Sequence, residues 1–119
     1  MTTLSDEKCA PCRAGGAPLT AQEAGKLALS VPQWTLSEKL IEREFKFKDF
    51  CQAMAFVNRV ADAANEQDHH PDIQILYNCV RLTLSTHKIG GLSRNDFILA
   101  AKINRLAENP QSEQEEIES

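Results

Sequence analysis

An α+β domain is predicted: a four-stranded antiparallel sheet with three helices packed on one face, in the order α-β-β-α-β-β-α. Three observations predict it. Helix-capping sequences open three separated stretches with helical apolar spacing. Between them the apolar period drops twice to two residues. Each alternating stretch divides around a short polar turn, which marks a hairpin rather than two parallel strands joined by a crossover.

Thr20-Ala21-Gln22-Glu23 has the form of a capping box, with the Thr20 hydroxyl accepting from the third helical amide while Glu23 reaches back. Ala24, Leu27, Ala28 and Val31 follow at helical spacing, so the first helix is predicted over residues 21–30, ended by Pro32. Residues 34–38 and 40–47 then read as a hairpin turning at Glu38-Lys39. Ile41, Phe45 and Phe47 share one face and Glu42, Glu44 and Lys46 the other, as in a half-buried strand. Arg43 interrupts the apolar face, and nothing in the sequence accounts for it. Asp49-Phe50-Cys51-Gln52 is a second capping box, opening a helix over residues 50–66 with an apolar stripe of Phe50, Met54, Val57, Ala61 and Ala64. Its late small residues allow a close approach to a sheet. Beyond Pro71, residues 73–77 and 80–86 form a second hairpin around Asn78. Ser93 caps a last helix over residues 94–108, with Phe97, Ala100, Ala101, Ile103, Leu106 and Ala107 on its buried side.

The 119 residues suit one domain, placed at residues 19–109. Residues 1–18, with Pro11, Gly15, Gly16 and Pro18 and few large apolar side chains, read as a mobile arm. Residues 110–119 read as a disordered acidic tail. Four glutamates in that tail account for the formal charge of −4, so the body balances 13 acidic against 13 basic residues. That balance excludes the electrostatic footprint of a nucleic-acid binder. No apolar run approaches the ~20 residues of a membrane span. The amino-terminal residues lack a basic-then-apolar signal, so a cytoplasmic protein is expected, its four cysteines reduced. Cys9 and Cys12 form the one C-x-x-C pair, half of the four ligands of a structural zinc site. No metal is therefore expected within one chain, while a site shared between subunits stays open. Helices on one face leave the other face and the sheet edges uncovered, which calls for a homo-oligomer.

All three histidines fall in one stretch: His69, His70 and His87. If the second hairpin pairs around Asn78, Pro71 and Thr86 share one end of it, and His87 comes close to the His69-His70 corner. Histidine is the natural acid or base near neutrality, with a free pKa of about 6.5. Chemistry alone leaves three readings open: acid–base catalysis, shared metal ligation, or capping and exposed polar positions.

The residues Asp68-His69-His70-Pro71, then Tyr77-Asn78, then Leu84-Ser85-Thr86-His87, then Gly91-Leu92-Ser93 and Asp96 resemble, in register, the signature of the pterin-4a-carbinolamine dehydratases. Trp34 and Phe47-Lys48-Asp49-Phe50 are similar to the family as well, so the likeness covers about residues 20–107. It departs at Asn65, where the family usually carries an acid, and at Ile73, where an aromatic is frequent. The cysteine-bearing arm resembles the start of some bacterial members.

The resemblance implies dehydration of a 4a-hydroxytetrahydropterin, the product of an aromatic amino acid hydroxylase, to a quinonoid dihydropterin without cofactor or metal. It implies His69 and His87 as proton-transfer residues and His70 as the residue that orients the pterin. Asp68, Ser85, Thr86 and Lys88 are expected at the substrate's polar edge. Asp96 is expected either as a first-turn cap or as the partner that orients His87. The family also implies a homodimer or homotetramer. Two other readings are a dehydratase-like protein acting on a molybdenum-cofactor pterin and a coactivator-like binding module; the bacterial type of arm argues against the latter.

Overall fold

A computed structural model describes residues 4–10 and 17–108. The elements are α1 (Ala21–Ala28), β1 (Thr35–Leu36), β2 (Ile41–Lys46), α2 (Phe50–Gln67), β3 (Asp72–Leu76), β4 (Cys79–Leu84) and α3 (Arg94–Glu108). The expected order holds. The sheet is antiparallel throughout, with strand order β1-β2-β4-β3. Among the described residues no helix is long and apolar enough to cross a membrane.

Capping starts the helices where the sequence says. The Thr20 side chain accepts from the Glu23 amide, and Glu23 in return accepts from the Thr20 amide. Asp49 accepts from the Gln52 amide, but the Gln52 side chain reaches one residue further back, to the Lys48 amide. α1 is shorter than expected, since Leu29 and Ser30 already close tighter turns onto Lys26 and Leu27 ahead of Pro32. β1 is reduced to two residues, and its pairing of Leu36 with Ile41 confirms the turn at Glu38-Lys39.

Alternation then builds the core. Ile41 and Phe45 of β2 and Val80, Leu82 and Leu84 of β4 are buried on one face, while Glu42, Glu44 and Arg81 stay outside. α2 covers the apolar face with Ala53, Phe56, Val57, Val60 and Ala64. Phe56 packs 4.7 Å from Phe45 and 5.1 Å from Phe47, ring centre to ring centre. α3, buried almost continuously from Asn95 to Ala100 and again at Ile103 and Asn104, completes this layer.

Arg43 now has its reason. It lies among the core-facing residues of β2, stacks over the Phe45 ring at 4.3 Å and donates to Asn104 Oδ1 at 2.6 Å. The Trp34 indole donates to the same oxygen at 2.8 Å, and the Asn104 amide nitrogen donates to Gln33. A half-buried cation and a buried indole thus share one acceptor, which gives the indole the partner its burial requires.

The sequence reads residues 1–18 as a mobile arm; residues 4–10 are instead packed on α3. Leu4 is buried in the core cluster and Lys102 donates to the Ser5 carbonyl. Arg94 grips Glu7 with two hydrogen bonds of 2.8 and 2.7 Å, which hold the Glu7 carboxyl below the usual carboxylate range. A lowered carboxyl keeps this contact through the usual carboxylate range and releases it only as pH falls through the lowered value. Cys12 and the acidic tail lie outside the described residues.

Asn104→Ala tests the polar knot. The buried Trp34 indole would lose its acceptor, at about 1–3 kcal/mol for an unsatisfied buried group, while the half-buried Arg43 can turn to water. Urea denaturation should show a loss of about 1–3 kcal/mol; a loss below ~0.5 kcal/mol would mean that another group takes over the indole.

Candidate active site

α2 ends in a way that throws two histidines out of the helix. Asp68 adopts the left-handed conformation at φ 54°, ψ 40°, a position where glycine is commonest and Asp or Asn are the tolerated alternatives. The His69 amide then donates back to the Ala64 carbonyl and the Asp68 amide to Asn65, a Schellman closure. Pro71 follows and the chain enters β3. On the other strand, β4 stops at Leu84, short of the expected Thr86. Thr86 instead exchanges backbone hydrogen bonds with Gly91 across a tight loop whose first turn is His87–Ile89. Gly90 takes φ 70° there. Gly91 admits no side chain, because a Cβ would lie 2.8 Å from the Pro18 Cβ.

The β3–β4 register pairs Asp72 with Thr83, so the strand direction carries His70 and His69 toward Ser85 and Thr86. His69, His70 and His87 accordingly line one pocket of about 380 Å³, with Asp68, Ser85, Thr86 and Lys88. Seven of the eight residues singled out by sequence surround this space. The eighth, Asp96, lies beneath it, fully buried at 0% exposure.

Asp96 corrects one expectation and joins two others. Its partner is His69 rather than His87: His69 Nε2 lies 2.6 Å from Asp96 Oδ1. The other oxygen accepts from the Ser93 amide and from the Thr86 hydroxyl, both at 2.9 Å. Asp96 is therefore the first-turn cap of α3 and a histidine partner at once. A carboxylate only accepts, so His69 donates from Nε2, and in the neutral ring Nδ1 is the basic nitrogen. Thr86 gives its one proton to Asp96, so Ser93 Oγ donates to Thr86 Oγ1 across their 2.8 Å separation. The Thr86 hydroxyl thus braces Asp96 from within, although it was expected at a substrate's edge. The Ser85 hydroxyl also has a structural partner, the Lys39 carbonyl at 2.8 Å.

Asn65, the departure noted in the sequence, holds His70: Oδ1 lies 3.0 Å from His70 Nε2. A neutral amide therefore stands where an acid would form an ion pair. His87 and Lys88 are exposed at the pocket's rim. Among the described residues, no group of three His, Cys, Asp or Glu side chains is arranged to hold a metal. Sequence reasoning missed four residues of the pocket wall, Cys9, Ala10, Gln67 and Asn95. Only Asn95, a polar residue on the buried side of α3, carried a signal.

Tyr77, by contrast, is not brought to the site. It occupies the two-residue β3–β4 turn at φ 56°, at the hairpin's other end, and is largely exposed. The neighbouring Asn78 pins that end by donating to the Phe47 carbonyl while its own carbonyl accepts from the Phe47 amide.

Residues 17–106 match the family described as pterin 4 alpha carbinolamine dehydratase. A protein of Halorhodospira halophila is 46% identical over 106 residues, a span of 87% of this chain and 97% of that protein. One of Nitrosomonas eutropha is 49% identical over 104 residues, covering 87% and 92%. Both carry the name "Putative pterin-4-alpha-carbinolamine dehydratase". Among solved structures, a transcriptional coactivator/pterin dehydratase from Brucella melitensis superimposes with a TM-score of 0.72 at 36% identity, over 76% of this chain and 98% of its own. A pterin dehydratase-like protein identified as a RuBisCO assembly factor in the alpha-carboxysome shares the fold, with a TM-score of 0.52 at 23% identity over 62% and 86%. With relatives aligned nearly end to end and the family match running through both histidine strands, this chain belongs to the pterin-4-alpha-carbinolamine dehydratase family.

Proposed function

We propose that the histidine pocket removes water from a 4a-hydroxytetrahydropterin to give the quinonoid dihydropterin, by general acid–base catalysis. The observation that carries this reading is the convergence of His69, His70 and His87 on one pocket, with His69 fixed by the buried Asp96. Loss of the 4a-hydroxyl breaks a carbon–oxygen bond, and hydroxide leaves poorly. One group must give the departing oxygen a proton while another takes a proton from the ring nitrogen. The protons balance and nothing is oxidised, so the step calls for neither redox cofactor nor metal.

His69 and His87 are assigned the two proton transfers, either serving the hydroxyl according to its stereochemistry. With Nε2 committed to Asp96, His69 keeps Nδ1 as its basic nitrogen. His70, tethered by Asn65, is assigned to binding and orienting the pterin, with Asp68 and Lys88 beside it. An aromatic amino acid hydroxylase is the class of enzyme that would supply the substrate, and a separate reductase would have to reduce the quinonoid product before tetrahydropterin could return to it.

The assay follows quinonoid dihydropterin formed from fresh carbinolamine in the presence of a chelator. His69→Ala and His87→Ala should each lower kcat by about 10²–10⁴-fold, and each should change the preference between the 4a stereoisomers. His70→Ala should mainly raise KM, since a group that binds ground and transition state alike leaves kcat unchanged. A folded but inactive wild type would favour another pterin or a binding role; small, equal effects at all three sites would remove the role assignments.

Asp96→Asn isolates the carboxylate. An amide has one acceptor oxygen for donors that now approach both sides. With that oxygen kept toward Ser93 and Thr86, the nitrogen faces His69 and forces its proton to Nδ1. Nitrogen-15 NMR should show the His69 tautomer switch, with kcat lowered at least ~10-fold. An unchanged tautomer would show that Asp96 does not set it.

We also propose a homo-oligomer, a dimer or tetramer. β3 is an edge strand, with Ile73 and Leu76 37% and 52% exposed along it and Tyr77 65% exposed in the turn at its end. An apolar edge of this kind pairs with other chains unless it is covered. Sedimentation at micromolar concentration should give an assembly of two or four chains, and a monomer would overturn the proposal.

A further inference from the structure

We infer that residues 4–10 are a wall of the substrate pocket and limit the pterins it admits, an inference that rests on the reading of the pocket given above. Cys9 and Ala10 line the same space as the three histidines. The protein holds this segment by its backbone and, at Cys9, by the thiol as well, which donates to the Asn95 carbonyl at 3.7 Å. The Cys9 amide donates to Gln67 Oε1 at 2.8 Å. The Ala10 amide donates to Asn95 Oδ1 at 2.9 Å, and its carbonyl accepts from Asn95 Nδ2 at 2.6 Å. Both polar ends of the Asn95 side chain are thus matched to one residue, and Asn95 is only 6% exposed.

The two anchors stand beside the catalytic pair. Gln67 precedes His69 by two residues, and Asn95 immediately precedes Asp96. The groups that fix the wall therefore sit on the two chain segments that the His69–Asp96 contact joins, so wall and proton-transfer residue share one frame. Further back the segment is secured independently, by buried Leu4, by Lys102 on the Ser5 carbonyl and by the Glu7–Arg94 pair. A segment fixed by direct hydrogen bonds at the pocket and by packing behind it acts as pocket surface. Cys9 and Ala10 are short residues in the lining of a space of about 380 Å³, small enough for a bulky side chain at the exposed Ala10 to take a large share of it. The His69 ring is held by Asp96 and the His70 ring by Asn65, both outside this segment. Altering the wall should therefore change binding more than the chemical step.

The first test needs no variant. Calorimetry measures binding of 7,8-dihydrobiopterin to the full chain, and mass spectrometry follows iodoacetamide alkylation at Cys9 and at Cys51, exposed on α2. Bound pterin should slow alkylation of Cys9 at least ~5-fold and leave Cys51 unchanged. Binding without protection of Cys9 would overturn the wall and leave the pterin site standing; absence of binding would overturn the pterin reading itself. In the second test, Ala10→Trp should raise KM for the carbinolamine at least ~10-fold with kcat within ~3-fold. An unchanged KM in the folded variant would overturn the inference, and the alkylation result decides it if the variant does not fold.

Discussion

A carboxylate cut off from water must find its hydrogen-bond donors inside the protein, and Asp96 draws its donors from three parts of the chain. The Ser93 amide belongs to the start of α3, the Thr86 hydroxyl to the exit of β4, and the His69 ring to the exit of α2. An unsatisfied buried carboxylate would cost several kcal/mol, so these three places are held together by one group. The consequence reaches well beyond a helix cap. The same oxygens that begin α3 fix the orientation and tautomer of a ring in the pocket, so stability and chemistry share a residue.

Around that group, the site is assembled from chain ends rather than from element interiors. A left-handed Asp68 turns the chain out of α2, Pro71 sets it into β3, and the Thr86–Gly91 bridge stops β4. Each is a local backbone event, and each delivers a histidine. The elements behind them are packed and regular, which gives loop residues a fixed position. Asn65 shows how finely this arrangement is tuned: in the last turn of α2, it meets His70 with an amide oxygen.

What was legible in the sequence was what local chemistry decides. The Thr20–Glu23 capping box, the alternation along β2 and β4, and a hairpin turn around Asn78 need only neighbouring residues to be read, although β3 ends one residue earlier than expected, at Leu76. The grouping of the histidines was legible too, because hairpin pairing converts sequence distance into spatial distance. What stayed hidden depends on partners far along the chain. Arg43 makes sense only beside Asn104, the partner of Asp96 is chosen by how α3 lies across the ends of α2 and β4, and the arm reads as loose until Gln67, Arg94 and Asn95 are in place. Glycine and proline in a segment indicate weak intrinsic structure; they do not say what the rest of the protein will grip.

The span of the His69–Asp96 contact also bears on folding. The β3–β4 hairpin joins strands through two residues, and hairpins form in about 1–10 μs. The ring and carboxylate are 27 residues apart, and their contact cannot exist until α3 has docked against the rest of the fold. A chain that has made its sheet but not placed its last helix would carry all three histidines near one another with no fixed tautomer among them. The geometry that the proposed chemistry needs therefore depends on the docking of the final helix.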